Sequence, residues 1–174
     1  MADAVTVRSA APEDREAILA LVGEAFSHGG HDSRQELDIV RASWASGRVA
    51  EGLDLVAVPA GGGGVVGHVL GAWGDLGGRA VVGVAPLAVA PAHQGGGIAS
   101  TLMREVLRRA DEVRCPLVVL LGDPAFYGRF GFEAAGRHGV VYPPVGPGDP
   151  HFMARWWAGV VPGYRGEFRY CWEL

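Results

Sequence analysis

The sequence contains no lysine; all 15 of its basic residues are arginine. That absence excludes several chemistries. A Walker A phosphate loop needs a lysine before its Ser or Thr. Schiff-base and pyridoxal-phosphate enzymes need a lysine amine, and the strand lysine of protein kinases is missing too. Any phosphate held by this chain must be held by backbone amides and arginines. Positive charge is also outnumbered: 15 arginines against 19 Asp and Glu give a net charge of −4. Nonspecific nucleic-acid binding needs a basic face to displace counterions, so no nucleic-acid partner is expected. No apolar run approaches the roughly 20 residues that span a bilayer, and the opening residues lack a basic-then-apolar leader pattern. A cytoplasmic protein without membrane association is the expectation. Cysteine is scarce: Cys115 and Cys171 lie far apart without paired-ligand spacing, which favours two buried thiols over a disulfide.

What is present is enough apolar material for a core. Of the 174 residues, 49% are apolar, which fits one domain over residues 1–174. Val5–Arg8 reads as an opening strand. Pro12 starts a helix with Ile18, Leu21, Val22 and Ala25 at helical spacing. Ser27–Asp32 reads as a loop. Ser33 and Glu36 then form the S-x-x-E capping-box pattern ahead of Leu37, Val40 and Trp44. Three strand-like runs follow, Leu53–Val58, Val65–Trp73 and Ala80–Ala90, joined by glycine-rich separators too short for a parallel crossover. From Ile98 the apolar positions become 98, 99, 102, 103, 106, 107, 110 and 113, the stripe of an amphipathic helix. It leads into Leu117–Leu121, an all-apolar run suited to a central strand. Strand, helix and strand at this spacing make one parallel crossover unit. Asp123-Pro124 caps a short helix that Gly131 stops. Tyr142–Pro150 reads as a long surface loop, and Phe152–Trp157 and Glu167–Trp172 are the last strand candidates.

The chemistry sits in Pro86-Leu-Ala-Val-Ala-Pro-Ala-His-Gln-Gly-Gly-Gly-Ile-Ala-Ser100, where a strand ends and glycines open the long helix. Glycines let a backbone approach a ligand without Cβ obstruction, and a helix's first turn offers unpaired N–H groups to an anion. A dinucleotide-binding reading fails on detail. Ser100 stands at the third-glycine position, and the preceding strand is not the first of the fold. Gln94-Gly95-Gly96-Gly97-Ile98-Ala99 instead has the form Q/R-x-x-G-x-G/A after a Leu-Ala-Val strand and a proline. Downstream lies Phe126-Tyr-Gly-Arg-Phe-Gly-Phe132, an aromatic-Tyr-x-x-apolar-Gly-Phe run.

Together these resemble the acetyl-CoA signature and second motif of the GNAT superfamily of N-acetyltransferases, and the element order resembles it over most of the chain. The resemblance implies an α/β, mixed-sheet GNAT fold: a central, mostly antiparallel sheet with one parallel, splayed strand pair and helices on both faces. It implies acetyl-CoA as co-substrate. The backbone amides of Gln94, Gly95, Gly96, Gly97, Ile98, Ala99 and Ser100 would hold the pyrophosphate. The edge of Leu87, Ala88 and Val89 would pair with the pantetheine arm, and Tyr127 would be the general acid toward the departing thiolate. The residues add support of their own. Pro86 cannot donate to a ladder and belongs at a bulge, edge or splayed junction. A tyrosine of ordinary pKa, about 10, stays protonated at neutral pH.

The expected reaction is direct attack by the primary amine of a small-molecule acceptor on the thioester, with an oxyanion contact near Val89. The alternatives are a peptide or protein amine as acceptor, or an acyl-CoA-binding sensor or partner module without turnover. Many relatives place a Glu on the strand before the phosphate loop, but Ala80–Ala90 has no ionisable residue. The base is therefore open among His68, Asp75, Glu24, His28, His31 and Asp32. His28-x-x-His31-Asp32 lacks a further ligand at fixed spacing, so no metal is expected. The aromatic residues Trp156, Trp157, Tyr164, Phe168, Tyr170 and Trp172 read as core, as a homodimer interface, or as the wall of an acceptor pocket.

Overall fold

The structure, a computed structural model, describes residues 4–27 and 30–174. Its frame is set by three long strands, β2 (Val49–Pro59), β3 (Gly67–Leu76) and β4 (Arg79–Val89), each antiparallel to the next. Only Gly77 and Gly78 join β3 to β4, at φ +56° and +90°. Two positive φ values in a two-residue hairpin match the twist of the flanking strands and favour glycine. β1 (Val5–Ser9) lies antiparallel to β2, and β5 (Leu117–Leu121) joins β4 in parallel. β8 (Phe152–Trp156) pairs antiparallel with β5 and with β6 (Glu133–Ala134). β9 (Gly166–Arg169) pairs with the far end of β3 and with β7 (Val140–Val141). The result is the mixed sheet expected, with one central parallel pair, β4–β5, and a second, two-residue parallel pair, β7–β9, at its margin.

Helices cover both faces. α3 (Ile98–Glu112) buries Ile98, Leu102, Met103, Val106, Leu107 and Ala110 against Leu55, Ala57, Val69, Val82, Val84, Val118 and Leu120. α1 (Arg15–Ala25) and α2 (Arg34–Ser46) cover Val56 and Ala88 on the other face through Ile18, Leu21, Val22 and Val40. Further along that face Tyr170 lies flat on β4. A Cβ at Gly83 would come within 2.8 Å of its ring, so this position must be glycine for the aromatic layer to close.

Two details position the site. β4 and β5 pair only over Val82–Val84 and Val118–Leu120, and β4 then runs on to Val89 paired with β3 but without β5. Between Val84, opposite Gly71, and Leu87, opposite Val69, β4 holds one more residue than β3. Such a bulge bends a strand, and Pro86 sits within it, at the splayed junction its missing N–H suggested.

Some expectations are corrected. Strand β9 ends at Arg169 instead of continuing to Trp172. The Glu173 carboxylate turns the chain there, accepting from the Tyr170 amide at 2.7 Å and the Tyr142 hydroxyl at 2.9 Å. β6 and β7 are two residues each, too short for a period to register. Ser33 precedes α2, but its side chain makes no capping hydrogen bond; its hydroxyl accepts from Ser27 instead. The capping box does not form, which leaves the Glu36 carboxylate for other contacts. Cys115 and Cys171 are free and buried, as expected. Among the described residues, no helix is long and apolar enough to cross a membrane.

Candidate active site

The gap between β4 and β5 opens into a cleft of about 560 Å³ lined by Leu87, Val89 and the first turn of α3 on one side, and by Phe126, Tyr127 and Arg129 on the other. Backbone polarity in this gap follows from register. Ala90 N donates to Val66 O at 2.9 Å, making that a hydrogen-bonded pair. In an antiparallel ladder the pairs alternate, so Val89 opposite Gly67 and Leu87 opposite Val69 are non-hydrogen-bonded. Their N–H and C=O groups therefore turn away from β3 and into the gap that β5 has vacated. The Gln94 side-chain amide donates to Val89 O at 3.1 Å, tying the glycine loop to the strand end.

The loop itself needs two of its three glycines. Gly95 and Gly97 take φ of +83° and +87°, where a Cβ is costly. Gly97 is the N-cap of α3, so the amides of Ile98, Ala99 and Ser100 face the cleft without intrahelical acceptors. Of the residues proposed for the coenzyme, the cleft brings together Leu87, Val89, Gln94, Gly95, Gly97, Ile98, Ala99 and Ser100. Gly96 is not in the lining. Ala88 points to the opposite face, buried against the α1–α2 layer, as strand alternation requires.

Tyr127 closes α4 (Pro124–Tyr127), a single turn capped by the Asp123 carboxylate on the Ala125 amide at 2.9 Å. Its ring meets Phe126 and Phe132 edge-on at 4.8 and 5.9 Å. Burial pushes the phenol up to about 12, because a phenolate there would lose its water.

A second cavity, about 960 Å³, meets the first at Leu87 and Tyr127. Val84–Leu87 of β4 form one wall, Tyr142, Tyr170 and Trp172 another, and the N-terminal half of α2 the third. The aromatic cluster therefore divides: Tyr170 and Trp172 line this cavity, while Phe168 is core.

The base candidates separate cleanly. His68 is fully buried beneath the helices, its Nε2 bound to Asp54 Oδ1 at 2.7 Å, and does not line the cavity. Asp75 lies at the β3–β4 turn, accepting from Gly78 N at 3.3 Å. Glu24 is not in the lining, and His28 lies outside the described residues. Asp32 reaches the cavity, but Arg34 hydrogen-bonds it at 2.6 Å and holds its carboxyl below the usual range. His31 donates Nε2 to Glu36 Oε1 at 3.1 Å. Glu36 is the residue that sequence reasoning missed. It lines the cavity, and its Oε2 is buried with no hydrogen-bond partner. The S-x-x-E pattern assigned it a capping task and so hid it. Among the described residues, no group of three His, Cys, Asp or Glu is placed to hold a metal.

A splayed parallel pair beside a glycine-opened helix, with a phenol where two cavities meet, defines the acetyltransferase class of α/β folds, and comparison with known proteins agrees. The family model described as the acetyltransferase (GNAT) domain matches residues 53–134. The crystal structure of the GNAT family N-acetyltransferase YhbS from Escherichia coli, in complex with CoA, superposes with a TM-score of 0.84 at 32% identity, covering 98% of this chain and 91% of that one. A GNAT family acetyltransferase from Brucella melitensis, in complex with acetyl-CoA, gives 0.77 at 28% identity, covering 97% and 96%. Among curated sequences, the uncharacterized N-acetyltransferase YhbS of Escherichia coli strain K12 is 51% identical over 57 residues, a stretch spanning 33% of this chain and 34% of that protein. The chain belongs to the GNAT family of N-acetyltransferases.

Proposed function

We propose that this protein transfers the acetyl group of acetyl-CoA to the primary amine of a small molecule by direct attack. The observation that carries this reading is the junction of the two cavities at Leu87 and Tyr127. One cavity offers backbone donors to a coenzyme, the other has the size of a small-molecule pocket, roughly 300–1,000 Å³, and the phenol stands between them. The two solved relatives hold CoA and acetyl-CoA, which supports the same occupant here.

In this reading the amides of the glycine loop and of the first turn of α3 bind the diphosphate, and the Leu87 C=O and Val89 N–H bind the pantetheine arm as a further strand would. The acceptor nitrogen attacks the thioester carbon at the cavity junction while the Leu87 N–H receives the developing oxyanion. Collapse breaks the C–S bond, and Tyr127 gives its proton to the departing thiolate. The nitrogen sheds its proton to Glu36 Oε2, the carboxyl being oriented by the His31 Nε2–H donated to its other oxygen, and the carboxyl later releases that proton to water in the open cavity. An alkyl ammonium of pKa about 10 is neutral only about one part in a thousand at pH 7, a deficit of roughly 4 kcal/mol that a carboxylate in the cavity reduces.

The deciding experiment follows free thiol while acetyl-CoA is incubated with a panel of small primary amines and amine-bearing peptides. Thiol release that depends on a small amine supports the proposal. Coenzyme binding without release on any acceptor would establish a binding module instead.

A further inference from the structure

Beyond the coenzyme cleft lies a smaller cavity of about 380 Å³ between α3, the segment after α4 and strand β8. Its polar lining is dominated by Arg104, Arg129 and Arg155, with Asp111 the acid that also reaches it. A fourth arginine, Arg108, is neutralised by Glu105 and Glu112. None of the other three makes an ion pair among the described residues. In a chain whose acids outnumber its bases, three unpaired guanidinium groups around one cavity need an explanation.

The three are held in place by aromatic rings. Arg104 lies over Phe130 at 5.8 Å, Arg129 over Phe126 at 4.8 Å and Arg155 over Trp157 at 4.7 Å. Arg155 also donates Nε to Phe130 O at 2.8 Å, while its Nη1 is buried with no partner. A buried donor of a charged group left unsatisfied is costly, and rings that fix guanidinium groups reduce the entropy lost when they grip an oxyanion. The chemistry suits a phosphomonoester dianion.

Arg129 lines both this cavity and the coenzyme cleft. Arg104 stands four residues beyond Ser100 on α3, one turn or about 6 Å along the axis. An anion here is thus one helical turn from the amides assigned to the diphosphate. We infer that this cavity receives the ribose 3′-phosphate of the coenzyme, so that the protein discriminates CoA thioesters from those lacking that phosphate. The inference rests on the coenzyme reading above.

Calorimetric titration of the full chain with acetyl-CoA and with acetyl-dephospho-CoA, identical but for the 3′-phosphate, tests it. Wild-type protein should favour acetyl-CoA by about tenfold or more, the worth of a charge-assisted contact. Arg104→Ala, at an exposed helix position, should weaken acetyl-CoA several-fold and leave the dephospho form unchanged. Arg155→Gln should do the same; if it fails to fold by circular dichroism, Arg104→Ala carries the test. Equal wild-type affinities, or equal losses for both coenzymes in Arg104→Ala, would overturn the inference. So would inorganic phosphate binding to protein already saturated with acetyl-CoA, which would assign the cavity to a separate phosphorylated molecule. Wild-type protein that binds neither coenzyme would defeat the coenzyme reading itself.

Discussion

The ring of Tyr127 rests on the backbone of Gly122: a Cβ built at Gly122 would stand 2.1 Å from Tyr127 Cε2. Gly122 sits just past β5, its amide tied to His151 O at 2.9 Å, so the backbone cannot retreat freely. The phenol reaches the meeting point of the two cavities because this position lacks a side chain.

Gly122→Ala should therefore displace the phenol. Overpacking of this kind costs about 1–3 kcal/mol of stability, and misplacing a reacting group by about 1 Å can cost on the order of 100-fold in rate. Thermal unfolding together with kcat for a turned-over amine checks it. A folded variant of undiminished turnover would show that the contact does not position the phenol.

Tyr127→Phe should lower kcat by about 100-fold or more, the range of general acid catalysis, while acetyl-CoA affinity stays within about twofold. The pH dependence has a definite sign. Burial raises the phenol from its usual value to about 12, so the protonated, donating form persists through neutral and mildly alkaline pH. Turnover should lose no acid function to this group below about pH 11. The stability contributed by the buried neutral phenol is fully present below pH 10 and is lost between about 10 and 12, which alkaline unfolding curves of wild type and Tyr127→Phe will compare.

Glu36→Gln should slow acetylation of benzylamine, which is protonated at neutral pH, by about tenfold or more. Aniline, which is already neutral, needs only the proton shed during attack removed, so its loss should be smaller. Steady-state rates with the two amines form the comparison, and undiminished rates for both would remove Glu36 from proton transfer.

Asp54→Ala should loosen α2, a wall of the second cavity, from the sheet. Asp54 accepts from His68 Nε2 at 2.7 Å and from the Trp44 indole on α2 at 2.9 Å. Removing it strands two donors, one wholly buried, at a cost of about 2–4 kcal/mol. Chemical denaturation should report that loss, and KM for the amine should rise more than KM for acetyl-CoA.

Much of this molecule could be read along the chain. Local order determines the amphipathic period of α3, the apolar run of β5, the glycine turns, the loop at Gly95–Gly97 and the proline at the splay. Each is a short-range consequence of side-chain spacing, absent N–H groups or positive φ. Tyr127 was singled out through a resemblance, whose motif is contiguous, and the structure places it where the two cavities meet.

What only the tertiary structure decided are encounters between distant segments. Glu36 presents the features of a capping residue until α2 is seen to turn its carboxylate into a cavity formed with β4 and Tyr170. His68 offers imidazole chemistry in the sequence, yet the packing of two helices over β3 leaves it fully buried and out of the cavity. Arg104, Arg129 and Arg155 come from three separate elements and share one cavity. Periodicity records which face of an element is buried. Which polar groups then converge in the same space depends on how elements far apart in sequence are packed, and no local pattern encodes that.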